Sequence, residues 1–159
     1  AEADAALFGF MVMNDWSARL LQMEEMKLNL GPAKGKDFAT AIGPWLVTKD
    51  ELGGRLRTSP KGNVLDARMT AHVNGVQVSE GNVSQMDWTF AEIVRRAADG
   101  VTLEPGEVIG SGTVGTGCFL ELNGSGVTKD QWLRPGDVVS LAIDGLGTLT
   151  HTIVEDPAK

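Results

Sequence analysis

Three stretches of this chain combine residue types that can do chemistry together. The first is Asn14-Asp15-Trp16-Ser17-Ala18-Arg19-Leu20-Leu21-Gln22, with a carboxylate, a guanidinium four residues on and an amide three further. On a helix those three side chains share one face. Two uses fit that spacing: Asp15 as an N-terminal cap with an i,i+4 ion pair to Arg19, or a polar site gathered at a strand-to-helix junction.

The second stretch is Gly31-Pro32-Ala33-Lys34-Gly35-Lys36-Asp37-Phe38-Ala39-Thr40. Its glycines let backbone approach a ligand closely, and Lys36 can supply a point charge. A solvated basic loop is the alternative. The Gly-Lys-Ser/Thr ending of a phosphate loop is missing, so a nucleotide is not implied.

The third is Gly110-Ser111-Gly112-Thr113-Val114-Gly115-Thr116-Gly117-Cys118-Phe119-Leu120-Glu121, in which four glycines alternate with small residues before a carboxylate. Close backbone approach to a substrate and glycine bulges between strands explain it equally well. Cys118 has no histidine near it in sequence and reads as a small buried hydrophobe. His72 and His151 fall in predicted strands outside any motif. Trp16, Trp45, Trp88 and Trp132 read as core and edge packing.

Several elements must position these groups. Residues 8–14 are apolar enough for a buried strand, and residues 15–26 follow as a helix capped by Asn14 or Asp15. Residues 31–36 carry two glycines and a proline and read as a loop, with a strand at 41–48 and a turn at 50–54. Asn74-Gly75 between residues 65–73 and 76–79 is a two-residue hairpin signal. A second helix is predicted over residues 89–98, capped by Asp87 or Thr89 and stopped by Gly100. Beyond it, Gly and Pro at intervals of about ten residues predict further short strands. The expected class is α+β, mostly β, with a few short helices in one domain.

Composition narrows the function. The formal charge is −7 with scattered Lys and Arg, so most of the surface would repel a phosphate backbone and nucleic acid is not an expected partner. An anionic substrate would then need a local cluster of cations inside its cleft. The single cysteine excludes an internal disulfide framework or a multi-cysteine zinc site and suits the cytoplasm. The apolar stretch at residues 5–13 is too short to span a bilayer, and no membrane partner is expected.

In order and wording these segments resemble the fumarylacetoacetate hydrolase family. Its pattern includes an Asn-Asp-Trp-Ser-Ala-Arg segment, a Leu-Gly-Pro…Gly-Lys-x-Phe-x-Thr loop and a Pro-Trp strand, matched by residues 14–19, residues 30–40 and Pro44-Trp45. Later come Ser111-Gly112-Thr113, Leu120-Glu121-Leu122 and a closing Leu133-x-Pro135-Gly136-Asp137. The resemblance covers nearly all of residues 1–159 and implies the family's mixed β-sheet roll or sandwich.

It also implies a metal-dependent hydrolase that breaks a C–C bond in fumarylacetoacetate or a related acylpyruvate or 1,3-dioxo acid. Isomerisation or decarboxylation of 2-hydroxydienoates or oxaloacetate, or a catalytically silent fragment, are the alternatives. Asp15 would hold a hard divalent cation, Mg²⁺ first with Ca²⁺ or Mn²⁺ behind it, with Lys36 and Thr40 in the same metal site. Arg19, Gln22 and Thr113 would contact a small anionic oxo-acid. Glu121, with a histidine, would activate the attacking water, and Lys36 would stabilise developing charge. A homodimer is implied too.

The pattern is incomplete. Residues 1–14 contain no Glu-x-Glu metal pair, neither His72 nor His151 occupies the catalytic position, and the animal enzyme's tyrosine is replaced at Met26. With Ala1 rather than methionine at the start, the expectation is that the rest of the site lies upstream.

Overall fold

The computed structural model describes residues 2–29 and 31–156 of the 159. Leu30, the first residue of the Leu-Gly-Pro match, lies outside them.

Helix α1 (Glu2–Ala6) leads into strand β1 (Gly9–Asp15), which pairs antiparallel with β2 (Thr40–Thr48). Between them the chain makes helix α2 (Arg19–Glu25), a 3-10 turn at Met26–Leu28 and the single helical turn α3 (Lys34–Asp37). The antiparallel register ends on Asp15 opposite Thr40, so the excursion over residues 16–39 opens and closes at one place. In β1, Phe10 and Val12 alternate inward at strand spacing and are buried. The register shifts between them, opposite the stretch of β2 containing a cis Gly43-Pro44 bond.

A 3-10 turn (Lys49–Arg55) brings Leu52 into the core, and β3 (Leu56–Ser59) pairs with β4 (Gly62–Leu65). Strands β5 (Arg68–Val73), β6 (Val76–Asn82), β7 (Val138–Ile143) and β8 (Gly147–Thr152) form a four-stranded sheet in the order β6-β5-β7-β8. Each pairing is antiparallel. The Asn74-Gly75 hairpin is present, with both residues at positive φ (52° and 78°) as a two-residue turn of this hand requires.

Phe10, Val12, Leu52, Leu65, Ala67, Val83, Leu146 and Leu149 make one core where β1 meets the β7–β8 hairpin and the β3–β4 ribbon. Helix α4 (Phe90–Ala97) covers one side and sets Phe90 edge-on to Phe10, ring centroids 4.8 Å apart. Its cap is Thr89, in a reciprocal capping box with Glu92. The Glu92 carboxyl is held below its usual range, first by the Thr89 backbone N–H and then by the Thr89 hydroxyl.

Four local expectations are corrected. Asp15 does not cap α2: it is the last residue of β1, and the position before α2 is Ala18, which offers no side-chain cap. Lys34-Gly35-Lys36-Asp37 is helical rather than loop. Residues 101–137 hold no strand among the described residues; they form turns, with positive φ at Gly106, Gly112, Gly126 and Gly136, and one helix, α5 (Phe119–Gly124). Trp45, Trp88 and Trp132 are exposed rather than core, although Trp45 packs at an edge, so close over Gly147 that a Cβ there would lie 2.9 Å from its ring.

Candidate functional site

The polar cluster lies where β1 ends and β2 begins. Asp15, turned outward at the end of the ladder, receives the Lys36 ammonium on Oδ2 at 2.7 Å. The same ammonium donates to Ser17 Oγ at 2.7 Å, and Ser17 donates in turn to the Asp15 carbonyl at 3.0 Å. Lys36 thus rests on two oxygens, while the Asp15 and Lys36 side chains keep 44% and 27% of their surface open. A partly solvated ion pair of this kind contributes about 0–1 kcal/mol to folding. Its position at an accessible chain crossing is more informative than its strength.

Arg19 does not pair with Asp15 as the helical spacing suggested. With Asp15 in a strand, the two are no longer on one helix face, and Arg19 Nη1 donates to Gln22 Oε1 at 2.7 Å instead. That pair lies on α2, against which α3 is pressed. Ala18 N–H donates to the Gly35 carbonyl at 2.9 Å, and a Cβ on Gly35 would lie 2.7–2.9 Å from Gln22 backbone and Cβ atoms. The Arg19–Gln22 pair and Lys36 therefore sit on two helical segments in direct contact. Thr40, the register partner of Asp15, is exposed beside them.

The other two predicted residues are organised elsewhere. Glu121, on α5, accepts the Thr116 N–H on Oε2 at 2.6 Å, and Thr116 Oγ1 lies 3.2 Å from Ser79 Oγ on β6. Thr113 turns its hydroxyl toward the Val114 carbonyl at 3.4 Å. The glycine-rich segment runs between two strands: a Cβ at Gly110 would meet Met13 of β1 at 3.0 Å, and one at Gly81 of β6 would meet Val114 at 2.5 Å. Of the segment's own glycines, Gly110 permits close packing on Met13, while nothing lies within 4 Å of a Cβ at Gly112 or Gly115.

Three participants carried no sequence signal of their own. Ser17 lies inside the quoted motif but has no spacing rule linking it to Lys36. Glu25 closes the α2–α3 contact by accepting backbone N–H groups. His151 packs edge-on against Trp16 with ring centroids 5.9 Å apart, and its buried Nδ1 has no hydrogen-bond partner among the described residues. Cys118, half-buried, immediately precedes α5.

As a divalent-cation site this donor set is incomplete. A hard cation takes about six or more oxygens, usually from several carboxylates. Asp15 brings one carboxylate, Glu25 is taken up by backbone N–H groups, and among the described residues no group of three or more His, Cys, Asp or Glu side chains could hold an ion. Lys36, expected in the metal site, brings an ammonium that can only donate. What the arrangement offers unaided is donors for an anion: a guanidinium, a carboxamide and an ammonium are carried on two touching segments.

The chain matches the fumarylacetoacetate (FAA) hydrolase C-terminal family over residues 1–154. It is 30% identical to a fumarylacetoacetase of Arabidopsis thaliana, over 95% of this chain and 45% of that protein. It is similar in structure to a fumarylpyruvate hydrolase from Pseudomonas aeruginosa in complex with Mn²⁺ and pyruvate, with a TM-score of 0.76 and 25% identity over 98% of this chain and 57% of that one. A 2-hydroxyhepta-2,4-diene-1,7-dioate isomerase from Mycobacterium marinum gives a TM-score of 0.70 and 27% identity, over 99% and 52%. The chain spans about half the length of these relatives.

Proposed function

Because the chain belongs to the fumarylacetoacetate hydrolase family, we propose that it carries the Asp15–Lys36 half of an active site that hydrolyses a C–C bond in an acylpyruvate or related 1,3-dioxo acid. The observation that carries this reading is the Lys36 ammonium held on Asp15 and Ser17 beside the Arg19–Gln22 pair. In it, Arg19 takes the substrate carboxylate through its planar fork, and the Gln22 amide nitrogen donates to a neighbouring oxo group. Lys36 stands where negative charge would develop on the leaving enolate, and a preplaced cation there is worth more than one recruited during reaction. Glu121 is the proposed proton acceptor for the attacking water. Its carboxylate accepts the Thr116 N–H, and a histidine is the partner this role calls for.

The Mn²⁺ of the Pseudomonas neighbour supports a divalent ion in the whole enzyme, with Asp15 as this chain's contribution and Mg²⁺, Mn²⁺ or Ca²⁺ as the candidates. Such an ion would supply Lewis-acid polarisation of the oxo group. A second copy of the chain is the expected partner. The isomerase neighbour favours a second reading, rearrangement of a 2-hydroxydienoate, in which Arg19, Gln22 and Lys36 bind the same oxo-acid group and no water attacks.

The test is turnover of an acylpyruvate by the enzyme containing this chain, compared with its Asp15→Ala and Lys36→Met variants. The expected result is a loss of kcat of about 10²-fold or more in each, with melting temperatures nearly unchanged. Unaltered kcat/KM in both variants overturns the site. Rearranged product without hydrolysis selects the second reading.

A further inference from the structure

The helical turn that carries Lys36 is held internally only by the Lys36 and Asp37 N–H groups on the Ala33 carbonyl and by an exposed Lys34–Asp37 ion pair at 3.1 Å, a pair worth little in water. Helix α3 is four residues long, and its N-terminal neighbour Ala33 supplies no side-chain cap. A single turn does not persist in water alone, and its first N–H groups need acceptors. The acceptor is Glu25, the last residue of α2. Glu25 Oε2 accepts the Ala33 N–H at 3.0 Å and the Gly35 N–H at 3.0 Å, and Oε1 accepts the Lys34 N–H at 2.7 Å. Three consecutive backbone amides thus converge on one carboxylate, which fills the concavity where a nest would otherwise take an anion. The Glu25 carboxyl is held below its usual range, first by the Gly35 N–H, then by those of Ala33 and Lys34.

The next residue along the chain is Lys36. Its peptide is pinned on the other side by the Ala18 N–H on the Gly35 carbonyl, and its own N–H closes back on the Ala33 carbonyl at 3.0 Å. Neighbouring Glu24, on the same helix, is exposed and has no part in this clasp.

We propose that Glu25 is a positioning residue for Lys36: by gathering the amides of Ala33, Lys34 and Gly35 it fixes the turn from which the ammonium reaches Asp15 and Ser17. The role rests on the reading of Lys36 as the charge-stabilising group. Arg19 and Gln22 stand on α2 itself, which keeps its own backbone bonds without the clasp. Loss of Glu25 therefore falls on the chemical step more than on substrate binding.

The experiment measures acylpyruvate turnover by the enzyme containing this chain, with Glu25→Ala, Glu25→Gln, Glu24→Gln, Lys36→Met and the double variant Glu25→Ala/Lys36→Met. The expected result is a kcat lowered about 10-fold to 10²-fold in Glu25→Ala, the scale of a displacement of about 1 Å, with KM changed by less than about 2-fold. Glu25→Gln keeps one acceptor oxygen and should fall between wild type and Glu25→Ala; where Glu25→Ala does not fold, Glu25→Gln carries the comparison. Glu24→Gln should match wild type. In the double variant kcat should equal that of Lys36→Met, because a residue acting through Lys36 has nothing left to position. Wild-type kcat in Glu25→Ala, with Lys36→Met impaired, overturns the role of Glu25 alone. Losses that multiply in the double variant also overturn it. Wild-type kcat in Lys36→Met overturns both this role and the site reading beneath it.

Discussion

Replacing Gly35 by alanine should loosen the α2–α3 contact on which the site depends, for a reason that is purely one of space. The backbone of Gly35 is not in the left-handed region, so alanine adds no conformational strain there. The added Cβ would, however, lie 2.7, 2.8 and 2.9 Å from Gln22 N, Cα and Cβ. Carbon contacts are comfortable at about 3.5–4.0 Å, so the two segments must part by roughly 0.7 Å or more. Overpacking of that kind costs about 1–3 kcal/mol, and loss of the Ala18–Gly35 hydrogen bond adds about 1 kcal/mol. The sum, about 2–4 kcal/mol, corresponds to a melting temperature lowered by roughly 5–15 °C in a chain of this size. The assay is a thermal melt with Gly54→Ala as the control. Nothing lies within 4 Å of a Cβ at Gly54, so alanine there should be neutral or stabilising by up to about 1 kcal/mol. A Gly35→Ala midpoint within about 2 °C of wild type, less than about 1 kcal/mol, would refute the close approach.

Two further expectations concern protons and metal. The Glu92 carboxyl is depressed below 4.5 by Thr89, so its contribution to stability is fully present above that pH and is lost as pH falls through the lower folded-state value. The melting-temperature gap between wild type and Glu92→Gln should accordingly be constant near neutrality and close in acid; a gap that widens in acid contradicts the capping assignment. Mn²⁺ titrated into this 159-residue chain and followed by electron paramagnetic resonance should bind no tighter than about 10⁻⁴ M, the weak end for hard-cation sites with few charged ligands. Micromolar binding would mean that this chain already holds a complete donor set.

Where the sequence was legible, the determining interactions are local. Asn74-Gly75 forms its hairpin because two adjacent residues accept positive φ, and Thr89 caps α4 with a partner three residues on. Residues 101–137 misled because glycine and proline at regular spacing signal chain reversals without saying what lies between them. Positive φ at Gly106, Gly112, Gly126 and Gly136 shows reversals following one another through turns, with only α5 between. The turn at Lys34–Asp37 was hidden for a different reason. Gly31, Pro32 and Gly35 argue against a helix locally, and the carboxylate that overrides them is eight to ten residues upstream.

In the Asp15 cluster, spacing named the wrong partner. Counting from Asp15 to Arg19 assumes that a helix has already begun, and under that assumption the nearest cation is four residues ahead. The strands decide otherwise. Residues 8–14 and 41–48 both read as strands, and once they are paired antiparallel the end of one must face the start of the other. That is the Asp15–Thr40 register pair. Everything over residues 16–39 is then an excursion returning to its origin, and the cation just before its return is Lys36 rather than Arg19. Lys36 meets Asp15 because the excursion closes, and Arg19 is left on α2, where it donates to Gln22. The pairing thus places a fixed ion pair at the neck of the excursion and a separate guanidinium on its wall.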